Sequence, residues 1–208
     1  MIVLSHRGYW KIPSEKNTEV AFRRSFDFGF GTETDIRDCC GELVISHDMP
    51  TGNEMTLEKF LGLLAERSFP LALNIKGDGL SHTLKDIMSR KEILNWFVFD
   101  TSIPDMRAYL DAWIPVFTRM SEVESEPVWI DRAEGVWLDS FSRTWFDLNL
   151  VEELLERQKK RVCVVSSELH GRDPVPLWRM LRDVAYHPNI MICTDQPEGA
   201  GRYFGEQP

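Results

Sequence analysis

Two histidines, an arginine and a pair of carboxylates stand where buried strands would hand them to solvent. "VLSHRGYW" at 3–10 carries His6 and Arg7 directly after an apolar run, and "ELVISHDMP" at 42–50 carries His47 and Asp48 after another. Between them, "GTETDIRD" at 31–38 places Glu33 and Asp35 at i, i+2. That spacing puts both carboxylates on one face of a strand, where they can grip one hard divalent cation through oxygen. Histidines beside such a cation suit acid–base chemistry. One takes a proton from a hydroxyl or water, and the other protonates a departing alkoxide. Arg7 would neutralise a phosphoryl oxygen by a two-pronged contact and Lys76 as a point charge. Together these residues describe cleavage of a phosphodiester.

Such a site needs strands that deliver side chains to one place. Short β-branched or aromatic runs occur at 2–5, 31–36, 43–46, 70–75, 96–100, 114–118, 135–139, 162–166 and 190–194. Most are separated by stretches with apolar residues at i, i+3, i+4, at 18–28, 56–67, 80–94, 105–113, 149–160 and 175–185. Asn17-Thr18 starts the first helix, and Asn149 with Glu152 has the spacing of a capping box. The 43–46 run is expected to be the return arm of a hairpin turning at Cys40-Gly41-Glu42. Setting that arm aside, parallel strands alternate with helical crossovers, which predicts a compact TIM (β/α)8 barrel formed by one domain over 1–208. The competing doubly wound sheet would carry a Gly-rich first turn, and "SHRGYW" is not one.

In such a barrel the chemistry lies at the carboxyl ends of the strands. Those ends read His6-Arg7, Glu33 and Asp35, His47-Asp48, Asn74 and Lys76, Asp100, Arg119 and Glu122, Asp139, Glu168 and His170, and Asp195. Carboxylates beside a core must pair with cations or coordinate a metal. Asp195 also has a plainer role open to it, capping a turn before Pro197. His82 and His187 lie in helical or post-helical context and are expected to be surface or structural residues.

The chain has 208 residues with a net charge of −9, so a large nucleic-acid polyanion is not an expected partner. No apolar stretch reaches transmembrane length, and no basic region precedes an apolar one at the N-terminus. A cytoplasmic location is therefore expected, with no transmembrane segment. The four cysteines include no C-x-x-C, and Cys163 and Cys193 sit in apolar runs as small hydrophobes.

The order "SHRG … NTEVAF … TETD … ELVISHD", closing with "ICTDQP" at 192–197, resembles the glycerophosphodiester phosphodiesterase family. The resemblance is dense over 4–48 and returns at 70–76 and 190–197. It implies a TIM barrel, a Mg²⁺ or Ca²⁺ ion, a place in lipid metabolism, and hydrolysis of a glycerol-type phosphodiester to an alcohol and a phosphomonoester. Carried over by position, His6 and His47 are the acid–base pair, Arg7 and Lys76 bind phosphate, and Glu33 with Asp35 hold the metal. Two positions depart from the family pattern: Lys16 stands where it usually has Glu, and Asn74 replaces the Glu of E-x-K. A third metal carboxylate would then come from Asp78, Glu122 or Asp139, or the metal would be held more weakly. A lyase releasing a cyclic phosphate, or a weakened barrel that binds a phosphorylated ligand, are the alternatives on the same residues.

The family also inserts a small segment after H-D that covers the alcohol of the substrate. Here the chain passes from His47 to the next helix in a short loop, so the mouth is expected to be open. Trp10, Trp145 and Phe146 are the aromatic residues expected near that mouth. They suit a small-molecule or a lipid- or glycan-linked phosphodiester.

Overall fold

Each β-branched or aromatic run becomes a strand because it is covered on both sides, by the barrel interior and by helices. In the computed structural model, which describes residues 1–205, these strands are β1 (Ile2–His6), β2 (Gly31–Cys39), β3 (Glu42–Ile45), β4 (Leu71–Ile75), β5 (Trp96–Phe99), β6 (Phe117–Met120), β7 (Gly135–Leu138), β8 (Arg161–Val165) and β9 (Ile190–Thr194). Their order in the sheet is β5-β4-β2-β1-β9-β8-β7-β6. Every pair along that path is parallel. The ends of the path meet where Val98 bridges Val116 and the Val98 amide donates to the Pro115 carbonyl at 2.9 Å. The result is a nearly closed barrel of eight parallel strands, as the alternation of patterns predicts.

Strand β3 lies outside this ring and pairs antiparallel with the upper part of β2. Cys39 faces Glu42 in the register, leaving Cys40 and Gly41 as the loop, both with positive φ. This is the hairpin expected from the sequence, one residue tighter, and it carries His47 back to the mouth. The sixth strand is displaced from the expected 114–118 to Phe117–Met120. Its first residues, Ile114 to Val116, serve instead as the seam with β5, where Pro115 has a carbonyl to offer but no amide.

The crossover helices are α1 (Glu19–Asp27), α2 (Leu57–Gly62), α3 (Ser81–Arg90), α4 (Ile103–Asp111), α5 (Leu148–Glu152, continued by π-turns over Glu153–Arg157) and α6 (Val175–Leu181). A closing helix, α7 (Pro197–Gly205), was not legible from periodicity. Several starts are capped by side chains: Thr56 accepts from the Lys59 amide, and Ser102 from the Asp105 amide. The start of α5 is capped by Asp147, which accepts from the Leu150 amide, and not by Asn149. Asp147 wins because its carboxylate meets the helix dipole as well as the free amide. Between β6 and β7 the chain crosses without a helix, over 121–134.

Apolar side chains segregate into the barrel interior and two outer layers between strands and helices. The interior is filled on one side by ring plates. Phe97 stacks on Phe117 and Phe99 on Trp137, each pair with centroids 3.7 Å apart. Beside them stand small residues: Ala72 is the register partner of Phe97 and Cys163 that of Trp137, and Cys193 lies in the same interior cluster. This large-to-small complementarity lets a short chain fill a barrel. Gly135 makes room for it, since a Cβ there would lie 2.5 Å from the Phe117 ring. Burial pushes the thiols of Cys163 and Cys193 well up, consistent with packing roles. No helix among the described residues is long and apolar enough to cross a membrane.

Phe97 is wholly buried against a second ring, so Phe97→Ala should cost about 3–5 kcal/mol of stability. Urea unfolding measures this. A loss below about 1 kcal/mol would show that the interior collapses around the gap and that the plates are not what fills it.

Candidate active site

The turn that follows β1 decides where the side chains of His6 and Arg7 go. Arg7 adopts a positive φ of 56° and Gly8 one of 81°. A Cβ on Gly8 would lie 2.8 Å from the Cβ of Ala21, so the backbone can reverse here only against α1 and only without a side chain. The reversal is held by the Tyr9 amide on the Ala21 carbonyl and by the Asn17 amide on the Arg7 carbonyl, at 3.0 and 2.9 Å. It leaves His6 and Arg7 facing the barrel mouth beside β2.

Glu33 and Asp35 on β2 are both fully buried, which is costly for two like charges. Asp35 is answered by cations and an amide. Arg7 Nε lies 3.1 Å from Oδ2, an ion pair without a well-aligned hydrogen bond. Lys76 Nζ lies 3.5 Å from Oδ1. Asn17 Nδ2 donates to Oδ2 at 2.9 Å while its own oxygen accepts from Thr34 at 2.9 Å. The Asn17-Thr18 pair thus does more than begin α1; Thr18 occupies the cap position without a side-chain cap. Glu33 accepts from the Arg7 amide at 3.1 Å. Burial, and then the Asp35 charge, push its carboxyl well above the ordinary range.

His6 sits between two acids. Its Nδ1 lies 2.7 Å from Asp195 Oδ1, and its Nε2 lies 3.9 Å from Glu33 Oε2. Burial lowers the imidazole's basicity against the pull of Asp195. Burial works to raise Asp195, yet the His6 hydrogen bond, the His6 and Lys16 charges and the Trp10 hydrogen bond together outweigh it and hold that carboxyl below its usual range. An ionised Asp195 can only accept, so Nδ1 carries the proton and Nε2 is left as a free base. Asp195 also accepts from Trp10 Nε1 at 3.3 Å and lies 4.0 Å from Lys16 Nζ, which rests over the Trp10 ring. The Asp195 backbone is fixed from behind, its amide donating at 3.1 Å to Glu168, which also accepts from Ser166 and Thr194.

Asp195 is therefore a partner of His6 and not a turn cap. The clue lay in topology: a closed barrel places its first and last strands side by side, and β1 pairs with β9.

His47 stands apart from that cluster. It is 44% exposed and hydrogen-bonds its neighbour Asp48 at 2.9 Å. It lines a cleft of about 630 Å³ together with Arg7, Lys16 and Asn17, so the two histidine-bearing loops share one opening. No segment covers this cleft from the loop over 46–56.

The three candidates for a third metal carboxylate are occupied elsewhere. Asp78 is exposed and accepts from Ser102 at 3.0 Å, tying two loops together. Glu122 accepts from the amides of Phe141 and Ser142 at 3.0 and 2.6 Å. Asp139 pairs with His170 Nε2 at 2.8 Å. Among the described residues no group of three His, Cys, Asp or Glu side chains converges to hold a metal. The oxygen set that does converge is mixed. Asp35 and Asn74 are register partners on β2 and β4, and Asp35 Oδ1 and Asn74 Oδ1 are both buried without a hydrogen-bond donor. With Glu33 on the same face of β2, these oxygens fit a hard cation such as Mg²⁺ or Ca²⁺.

The expected aromatics divide. Trp10 is at the mouth, and Trp145 is tied by its indole to the Asp139 carbonyl at 2.7 Å. Phe146 is not at the mouth: it is buried in an outer apolar layer, because its ring turns inward with α5. Phe141, 48% exposed, stands at the mouth instead.

The Glu122 staple generates a pH prediction. Its contacts with the amides of Ser142 and Phe141 hold the carboxyl down to about 2. Folded-state depression of this kind contributes order above the unfolded carboxylate's pKa of about 4.3 and loses it as pH falls towards 2. Hydrogen exchange at Phe141 and Ser142 should therefore accelerate over that window beyond the intrinsic rate. Glu122→Ala, which removes both acceptor oxygens, should give fast exchange at every pH. Equal protection in the two proteins at pH 6 would disprove the staple.

No protein-family model and no curated protein matches this chain. Solved structures do. A glycerophosphodiester phosphodiesterase from Agrobacterium tumefaciens superposes with a TM-score of 0.73 at 15% identity, over 99% of this chain and 100% of its own. A phosphodiesterase from Oleispira antarctica, solved in complex with the product sn-glycerol-3-phosphate, gives 0.73 and 15% over 99% of this chain and 97% of its own. Across its whole length, this chain has the fold of the glycerophosphodiester phosphodiesterases.

Proposed function

We propose that this protein is a metal-dependent phosphodiesterase that hydrolyses a glycerol-type phosphodiester to an alcohol and a phosphomonoester. The observation that carries this reading is His6, a neutral imidazole fixed by Asp195 with its basic Nε2 turned to the carboxylate pair. A base so held, beside cations that suit a phosphoryl group, matches what in-line displacement by water requires. The shared fold with enzymes of this class, one of which holds sn-glycerol-3-phosphate as product, supports the same reaction.

In this reading His6 Nε2 takes the proton of the attacking water. Asp195 steadies the imidazolium that forms, while Glu168 keeps Asp195 in place. Arg7 and Lys76 carry the phosphoryl charge, released in part from Asp35 when substrate and cation enter. His47, from the facing loop of the same cleft, protonates the departing alkoxide. A divalent cation held by Glu33, Asp35 and Asn74 would supply Lewis-acid polarisation of a phosphoryl oxygen when bound. With no covering segment over the cleft, a small alcohol gains few contacts. A lipid- or glycan-linked phosphodiester fits better than a small free one such as glycerophosphocholine.

Phosphorus NMR of several glycerophosphodiesters, with and without Mg²⁺ or Ca²⁺, tests the reaction. The expected product is a phosphomonoester, and accumulation of a cyclic phosphate would overturn hydrolysis. His6→Ala and His47→Ala should each lower kcat by ~10²–10⁴-fold with the fold retained, whereas near-wild-type turnover in either would disprove the acid–base pair.

The metal assignment has its own test, by calorimetry with Mg²⁺ and Ca²⁺. Glu33→Gln should weaken binding and Asn74→Glu should strengthen it. Unchanged affinity in both variants would remove the ion from this site.

A further inference from the structure

His47 is the least anchored side chain of the proposed site. Its ring is half-exposed, and the carboxylate it bonds, Asp48, is 93% exposed and lies on the same loop. The loop over 46–55 has no regular structure, and most of its ties are local. Glu54 accepts from the amides of Thr51 and Gly52 at 2.7 and 2.8 Å, which stitches the far half to itself. The near half has one such stitch, from the Ser46 hydroxyl to the Asp48 carbonyl at 2.8 Å. None of these bonds refers the imidazole to the carboxylate pair on β2.

Two ties from β2 supply that reference. The Ser46 amide donates to the Asp35 carbonyl at 3.1 Å, which extends the hairpin by one bond. One residue further on, Arg37 Nε donates to the His47 carbonyl at 3.2 Å, and Nη1 reaches Met49 Sδ at 3.6 Å. Arg37 continues the i, i+2 series of Glu33 and Asp35, so strand alternation puts its side chain on the same face of β2. Its planar fork therefore grips the loop on both sides of Asp48, from the strand that carries the two buried acids.

We propose that Arg37 is a positioning residue, which holds the His47 carbonyl from β2 and so sets the imidazole where it can protonate the departing alkoxide. The inference rests on the phosphodiesterase reading above and adds to it how the second histidine is held. His6 is oriented through its ring, by Asp195, whereas His47 is oriented through its backbone, by Arg37. A guanidinium stays protonated at every working pH, so this hold does not titrate with the acid it serves. Proton transfer needs the donor within about 3 Å of the accepting oxygen. A loop that drifts loses that distance even when every reacting group is present. The proton passes from His47 to the alkoxide, and Arg37 touches neither.

The cost of losing Arg37 should fall on leaving-group protonation alone. Arg37→Gln should lower kcat about three- to tenfold on a glycerophosphodiester with an alkyl leaving group, the size of one hydrogen bond, with KM little changed. On a p-nitrophenyl diester, whose leaving group departs without a proton, the loss should be less than about twofold. Arg37→Lys should recover part of the alkyl rate. Adding Arg37→Gln to His47→Ala should cost nothing further, because the residue through which Arg37 acts is already gone. Equal losses on the two leaving groups, or an additive loss in the double variant, would overturn the positioning role. Loop order is read without turnover, by nitrogen relaxation of the Ser46 to Met49 amides. These should become more mobile in Arg37→Gln and less so in Arg37→Lys, and unchanged mobility would also overturn the proposal. Should Arg37→Gln fail to fold, the same comparisons are made on Arg37→Lys. A wild-type protein that hydrolyses no diester, yet whose loop loosens in Arg37→Gln, would refute the reaction and not the anchor.

Discussion

Two carboxylates buried one residue apart on β2 are the constraint around which the mouth of this barrel is built. Glu33 and Asp35 repel each other in a medium that screens poorly, and neither has access to water. Everything nearby answers that cost. Arg7 contributes its amide to one and its guanidinium to the other, which requires the left-handed backbone at Arg7 and the side-chain-free Gly8 beyond it. Lys76 and Asn17 arrive from two further loops to finish the neutralisation of Asp35. The same groups that stabilise the acids are those that an incoming phosphate and cation would recruit. The resting site thus holds its cations in reserve, bound to each other's counterions.

The His6 side of the mouth is arranged on the opposite principle, with one acid per role. Glu168 is consumed in holding the backbone of Asp195, and Asp195 in holding His6. Each step moves outward from the buried end of β9 towards the opening. Fixing the tautomer in this way leaves Nε2 as the ring nitrogen of His6 without a hydrogen bond.

How much of this was legible follows the distinction between local pattern and closure. The strands read correctly because their apolar runs are bounded by polar ends, and the E-x-D spacing alone puts Glu33 and Asp35 on one face. The hairpin at Cys40-Gly41 was visible for the same reason. What failed were features set by contacts distant in sequence. The shift of β6 depends on where β5 ends, and the inward turn of Phe146 depends on α5. Asp78, Glu122 and Asp139 are acidic and lie at strand ends, so residue type could not separate them from ligands. Only the amides of Phe141 and Ser142, the hydroxyl of Ser102 and the ring of His170 show them to be occupied.

The seam between β5 and β6 gives the barrel an uneven mechanical character. One bridge joins these strands, whereas β1 and β9 are paired over four register positions. The two outer apolar layers divide along the same line, one covering β2 to β5 and the other β6 to β9. The molecule is in effect two half-shells hinged at β1 and latched at Val98. Breathing would begin at the latch, on the far side of the ring from His6 and Asp195. The histidine and its acid span the β1–β9 junction, which lies across the ring from that latch.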